Sequence, residues 1–304
     1  MIAPDWLWIP VTVWAAFAQT LRNAAQRSLT AELGTLGATL VRFLYGLPFA
    51  ALWLGALHWA AGYALPAPHA AFFGWVTLGA LSQIAATALL LRVMAERNFA
   101  LGVAYSKTEL MQVAAFGLLF LGDPLSATTA LAVTLGTFGV LLLSPADRQR
   151  PIGSMLAGLL ARPALLGLAS GAGFALSAVG FRGAALSLDA PYLPAAGFSL
   201  VIAMLLQVAV LGGWLLLRDA ATVVRVLLAW RASLFAGFMG AAASVGWFTA
   251  MAIEPVAHVR TLGLVELAFS SIVSRKVFRE RLSPLEMAGM SLIALGLVLV
   301  MLFR

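Results

Sequence analysis

Apolar residues along this chain run in long unbroken blocks, not in the alternation of strands or the one-sided stripes of surface helices. Breaking the sequence at charges, prolines and glycine clusters leaves ten blocks, at 6–28, 34–60, 71–92, 98–121, 126–143, 160–182, 192–217, 232–252, 256–278 and 283–303. Each is near the roughly 20 residues that an α-helix needs to cross a hydrocarbon core of about 30 Å. The pattern predicts an all-α polytopic membrane protein with ten transmembrane helices. The tightest joint is Gly122-Asp123-Pro124, where Asp before Pro, followed by Ser126, predicts a helix stop and restart.

Composition agrees. Of 304 residues, 62% are apolar and 10% charged, against about a quarter charged in soluble domains. A mean hydropathy of +0.98 leaves no stretch polar enough for a separate soluble domain or a disordered tail. The absence of cysteine excludes disulfides, thiolate metal sites and Cys nucleophiles. A net charge of +7 would suggest nucleic acid in a soluble protein, but here the arginines sit in short loops, where they bear on orientation, and no nucleic-acid partner is expected. The N-terminal run MIAPDWLWIPVTVWAAFAQT has no Lys or Arg ahead of its apolar residues, so it reads as the first membrane helix and not as a cleaved signal.

Trp6, Trp8, Trp59, Trp75, Trp214 and Trp230 fall near block ends, where indoles prefer the interface, while Trp14, Trp53 and Trp247 fall inside. Loops after the odd-numbered blocks hold thirteen Lys and Arg: Arg27, Arg92, Arg97, Arg148, Arg150, Arg162, Arg218, Arg225, Arg231, Arg275, Lys276, Arg279 and Arg281. The opposite side holds Arg182, Arg260 and Arg304. The positive-inside rule then puts the odd-numbered loops in the cytoplasm and both termini outside, in a multi-pass protein of the inner (plasma) membrane.

Sliding the chain against itself by 157 residues superposes blocks three to five on eight to ten without a gap. Ala85-Ala86 falls on Ala242-Ala243, Met94-Ala95 on Met251-Ala252, Glu109-Leu110 on Glu266-Leu267, Leu125-Ser126 on Leu282-Ser283, Gly139 on Gly296, and Asp123 on Glu280. Five crossings per copy is an odd number, so the second copy enters with opposite polarity. Such inverted repeats set substrate sites near the bilayer midplane between the halves. The expected organisation is a first repeat at 1–145, a linker at 146–153 and an inverted second repeat at 154–304 around a central cavity.

The segment FRERLSPLEMAGMSLIALGLVLV (278–300) and its counterpart FLGDPLSATTALAVTLGTFGVLLL (120–143) resemble the acidic turn, Leu-Ser and Gly-containing helix that end each half of EamA-type members of the drug/metabolite transporter superfamily. The resemblance covers both halves. It implies ten crossings, a five-plus-five duplication, a cavity between the halves, and export of amino acids and other small metabolites. Relatives often carry a Pro just after the positions of Glu109 and Glu266, where this chain has Leu110 and Leu267. Helix bends are expected at Gly102 or Gly263 instead.

Ionisable groups at membrane depth are costly and are kept mainly where they pair or line a wet cavity. Glu109 and Glu266 lie about ten residues into their blocks, roughly 15–17 Å deep at about 1.5 Å per residue; Arg42 and Lys107 lie at similar depth. Helical spacing lines up Tyr105, Glu109 and Gln112, and in the matching block Glu266, Ser270 and Ser274. Further stripes are Thr39, Arg42 and Tyr45; Gln19, Arg22, Asn23 and Gln26; and Gln83 with Thr87. The candidate substrate-binding set is Arg42, Tyr45, Gln83, Tyr105, Lys107, Glu109, Gln112, Trp247, Glu266 and Ser270. Arg42 suits a solute carboxylate and the glutamates an ammonium, so an amino-acid-like metabolite would satisfy both, and a desolvated Glu could carry a coupling proton. The bland alternative is that Arg42 and Lys107 merely neutralise Glu109 and Glu266 and lock helices together.

His58, His69 and His258 lie at block ends without metal-ligand spacing, and no cofactor is expected. Gly167-xxx-Gly171 with Gly173 and Ser177, and Gly237 with Gly240, predict close helix packing inside a monomer. No HExxH, GxSxG or paired-Asp motif points to an enzyme. The competing readings are efflux of cationic amphipathic drugs and, in a different class, a scaffold or receptor.

Overall fold

The computed structural model describes residues 6–109, 160–253 and 262–302, with isolated positions between them. The Gly122-Asp123-Pro124 turn, the 146–153 linker and most of the block at 126–143 lie outside the described residues. Among the described residues every regular element is a helix.

The N-terminal apolar run from Trp8 to Ala60 is 53 residues long, which as one straight helix would measure about 80 Å against a core of about 30 Å. It does not stay straight. Within α1 (Trp8–Leu44), Gly34 takes φ 69° and ψ 172°, a left-handed value that costs a Cβ-bearing residue energy and costs glycine little. The chain doubles back there, because the Gln26 side-chain amide donates to the Ala38 carbonyl at 2.9 Å, a reach impossible for residues twelve apart on one straight helix. α2 (Leu47–Gly55) continues the returning arm and ends in wide turns over Ala56–Ala60.

α3 (Ala70–Glu96) is followed by α4 (Phe99–Ser106), whose first turn is capped by Asn98 accepting from Leu101 N at 2.9 Å. α5 (Arg162–Leu186) opens with a proline in its first turn, where no N–H is needed. α6 (Tyr192–Gln207) runs through wide turns at Val208–Gly212 into α7 (Gly213–Arg218). α8 (Ala220–Leu228) is a short helix bent 84° from α9 (Trp230–Ile253). Asp219 caps α8, and the Thr222 hydroxyl and backbone N–H hold its carboxyl below the ordinary carboxylate range. α10 (Val265–Lys276) and α11 (Pro284–Leu302) complete the set.

Among the described residues, four helical runs are long and apolar enough to cross a membrane, or five if α8 and α9 form one bent span. Large apolar side chains face outward on them: Trp59 is 84% and Leu217 88% exposed. This is the reverse of a soluble protein and suits lipid.

The interior is built on small residues. The two most extensive helix pairings are α3 with α5 and α1 with α9. Gly180 meets the Gly79 backbone so closely that a Cβ would sit 2.5 Å from Gly79 N, and Ser170 donates to the Ala86 carbonyl at 2.9 Å. Gly237 abuts the Tyr45 backbone in the same way. The small-residue runs of α5 and α9 therefore pack inside the fold, where close approach replaces the missing hydrophobic drive between helices in lipid.

At one end the loops are tied by charge. Glu280, after α10, accepts from Arg27, from Phe99 N at 2.9 Å and from Ser274 Oγ at 2.6 Å. Arg97 reaches Glu286 at 3.4 Å, Arg162 reaches Glu96 at 3.5 Å, and Phe278 lies between the Arg27 guanidinium and the Phe99 ring. These residues come from loops after the first, third, fifth and ninth apolar blocks, so those loops share one end of the bundle.

Candidate functional site

Two helices stop at matched places deep in the bundle. α4 ends at Ser106, with Lys107 as its C-cap. A turn at Gly263-Leu264 precedes α10, whose first turn contains Glu266. The bend in the ninth block thus falls at Gly263. In the fourth it falls at Lys107-Thr108 and not at Gly102, which stays inside α4 against Met94.

Opposite helix ends carry opposite partial charges, so a lysine at a C-terminus and a glutamate at an N-terminus are each favoured where they stand. They meet. Lys107 Nζ donates to Glu266 Oε2, with Glu266 1% exposed. Gln19 Nε2 donates to the same oxygen at 2.7 Å, and Asn23 Nδ2 approaches Oε1 at 3.4 Å. Trp247 Nε1 donates to Gln19 Oε1 at 3.2 Å, so α9 joins the network through α1. Arg22 donates through Nε and Nη2 to Asn23 Oδ1 at 3.2 and 2.8 Å.

Arg42, on the returning arm, is also buried and donates to the Thr87 hydroxyl of α3 at 3.0 Å. Lys107, Trp247 and Glu266 of the expected set therefore share one connected network, which takes in Gln19 and Asn23 as well. These two were visible as part of the polar stripe of the first block, but nothing in the sequence said that the stripe would face Glu266.

The remaining expected residues join other helices. Tyr45 donates its hydroxyl to the Val226 carbonyl of α8 at 3.1 Å. Gln83 accepts from Gln207 of α6 at 2.9 Å. Gln112 donates to Thr108 Oγ1 and to the Leu168 carbonyl, both at 3.0 Å. Tyr105 is buried with its ring against Gly167, and the Glu109 backbone nitrogen lies beside Gly171. Ser270 donates to the Leu267 carbonyl of its own helix at 3.1 Å. His58 and His69 each contact a backbone carbonyl, of Tyr63 and Ser187. Among the described residues, no three His, Asp or Glu gather as a metal site.

Charged and amide side chains linked across four helices, in an otherwise apolar bundle, can bind a polar solute and can shift with it. One solved structure, described simply as the crystal structure of a protein, is similar in fold: it matches 96% of this chain and 95% of its own length at 15% identity, with a TM-score of 0.50. No family model matches this chain, and neither does any curated protein.

Proposed function

We propose that this chain is a secondary transporter of the drug/metabolite transporter type that exports small amino-acid-like metabolites by alternating access. In this reading it makes ten crossings as two inverted five-helix repeats, and the basic, tied end faces the cytoplasm of a cell's plasma (inner) membrane with both termini outside. The observation that carries the reading is the meeting of Lys107 and Glu266 at the facing ends of two interrupted helices. Transporters built on inverted repeats use broken helices in this way, aiming half-helix ends at solute and ion.

Two further features support the duplication. The same 157-residue shift that pairs the sequences carries α3 onto α9 and the outgoing arm of α1 onto α5, so it exchanges the two dominant pairings, α1 with α9 and α3 with α5. It also carries the Lys107 break onto Leu264, within the second break. Lys107–Glu266 is a lock that a passing charged group or proton can compete for, which is what a solute-gated rearrangement requires.

The test is counterflow in liposomes holding the purified chain, with labelled amino acids set against the lipophilic cation tetraphenylphosphonium. Saturable amino-acid exchange that E266Q abolishes is expected; saturable cation flux without amino-acid flux replaces it with drug efflux, and no flux with either leaves the scaffold class. Orientation is read with single introduced thiols, since the chain has no cysteine. Labelling at 275–281 from inside only is expected, and labelling from outside only reverses the topology.

A further inference from the structure

Among the described residues, buried charges do not balance. Three cations lie deep in the bundle, Arg22, Arg42 and Lys107, with Arg22 4% and Arg42 7% exposed. Glu266 is held by Lys107. Even with half-buried Glu109 counted, cations outnumber carboxylates three to two. Among the described residues, the hydrogen-bond acceptors of Arg22 and Arg42 are neutral, the Asn23 amide oxygen and the Thr87 hydroxyl, and the Glu266 carboxylate, which Arg22 senses through space, is already taken by Lys107. A guanidinium offers five N–H donors, of which these bonds use two on Arg22 and one on Arg42.

Two such charges should not sit together without cause. The hydrogen bond from Gln26 to Ala38 sets those two positions opposite each other across the Gly34 hairpin. Arg22 and Arg42 stand four residues farther from the turn on the same faces, one helical turn deeper. That register brings the two cations near each other across the hairpin. Gly240 of α9 makes room for the Arg22 stem, since a Cβ there would lie 3.1 Å from Arg22 Cδ. Like charges brought together in an apolar interior are costly unless an anion completes the site. Two less deeply buried arginines do have carboxylate partners: Arg27 with Glu280 and Arg97 with Glu286.

We propose that Arg22 and Arg42 form an anion subsite, and that the solute handled here carries net negative charge through a carboxylate or phosphate group held between the two guanidiniums. As a statement about what is transported this rests on the transporter reading; as a statement about binding it stands alone. A neutral zwitterion leaves the excess charge in place, and a cation adds to it. A dicarboxylic amino acid or an organic phosphate removes it, with the planar donor forks matched to paired oxygens.

The test uses the full chain purified in detergent and measures thermal stabilisation and calorimetric binding for L-glutamate, succinate, inorganic phosphate, L-leucine and tetraphenylphosphonium. At least one of the three anions is expected to raise Tm and to bind about tenfold or more tightly than leucine, with R22Q and R42Q each losing about tenfold. R27Q, an equal loss of charge at the tied end, is expected to leave that affinity unchanged. Should R42Q fail to fold, T87V removes only the bond that orients Arg42 and is expected to weaken the anion about two- to fivefold. Glutamate or succinate binding alone assigns a carboxylate, and phosphate binding alone a phosphate. The proposal is overturned if none of the anions binds above chloride, if leucine or the cation binds best, or if R22Q and R42Q bind as the parent does. An anion that binds but never crosses a liposome removes transport and leaves the subsite.

Discussion

Two charged regions of the molecule use the same residue types to different ends. At the tied end, Arg27, Arg97 and Arg162 meet Glu280, Glu286 and Glu96, each with a carboxylate partner, and Glu280 is completed by Phe99 N and Ser274. Deep in the bundle, Lys107 is paired with Glu266, while Arg22 and Arg42 donate to the Asn23 amide oxygen and the Thr87 hydroxyl. The balanced cluster needs nothing from outside and reads as a fastening. The unbalanced one is incomplete as it stands, in the place where incompleteness costs most. On the anion proposal, the balance of charge, more than its presence, separates structure from binding here.

Breaking the deep cluster has the largest expected effect. E266Q leaves Lys107 without its carboxylate partner, and a loss of about 3–5 kcal/mol is expected, read from chemical or thermal unfolding in detergent. A loss below about 1 kcal/mol would mean that Glu266 is not the keystone of that site. E280Q comes next, at about 1.5–3 kcal/mol for the weakened charge-assisted bonds. It should also speed thiol labelling of a cysteine placed at Ser274, because that end is then less firmly closed. Labelling unchanged from the parent would separate the ties from closure.

A sharper comparison comes from two double-mutant cycles, K107M with E266Q and R27M with E280Q. The deep pair is expected to couple more strongly, by about 1 kcal/mol or more, because its partners are better shielded from water. Equal coupling would erase the distinction. The smallest effect is expected for R97Q, whose 3.4 Å pair with Glu286 is partly exposed and is worth about 0.2–1 kcal/mol. That contribution should fade between low and high salt, measured as the shift in Tm, while the E266Q deficit should not.

Much of this was legible before any coordinates. Apolar block lengths foretold the helices, and α3 and α5 begin and end within a few residues of the expected limits, because twenty apolar residues in lipid have no alternative to helix. Gly263 was expected as a bend because glycine tolerates one. The break at Lys107-Thr108 had no such residue to announce it. The apolar pattern leaves α8 between blocks, since nine residues between Asp219 and Ala229 are too few to stand out once the sequence is cut at Arg225. The candidate residues were legible by type and depth, but not by partner. Which face meets which depends on glycine and alanine contacts that look alike everywhere in such a chain, and so Gln19 and Asn23 were seen as polar without being assigned to Glu266.

The reversal at Gly34 sets Arg22 and Arg42 on the two limbs of one hairpin, while Glu266 belongs to a helix more than two hundred residues away in sequence. On the transport proposal, whatever is gripped by both guanidiniums would ride with that hairpin as cargo, and the span from the hairpin to the α10 carboxylate would serve as a ruler for the stroke. One probe on each side of it would follow that span directly, with the anion present or withdrawn.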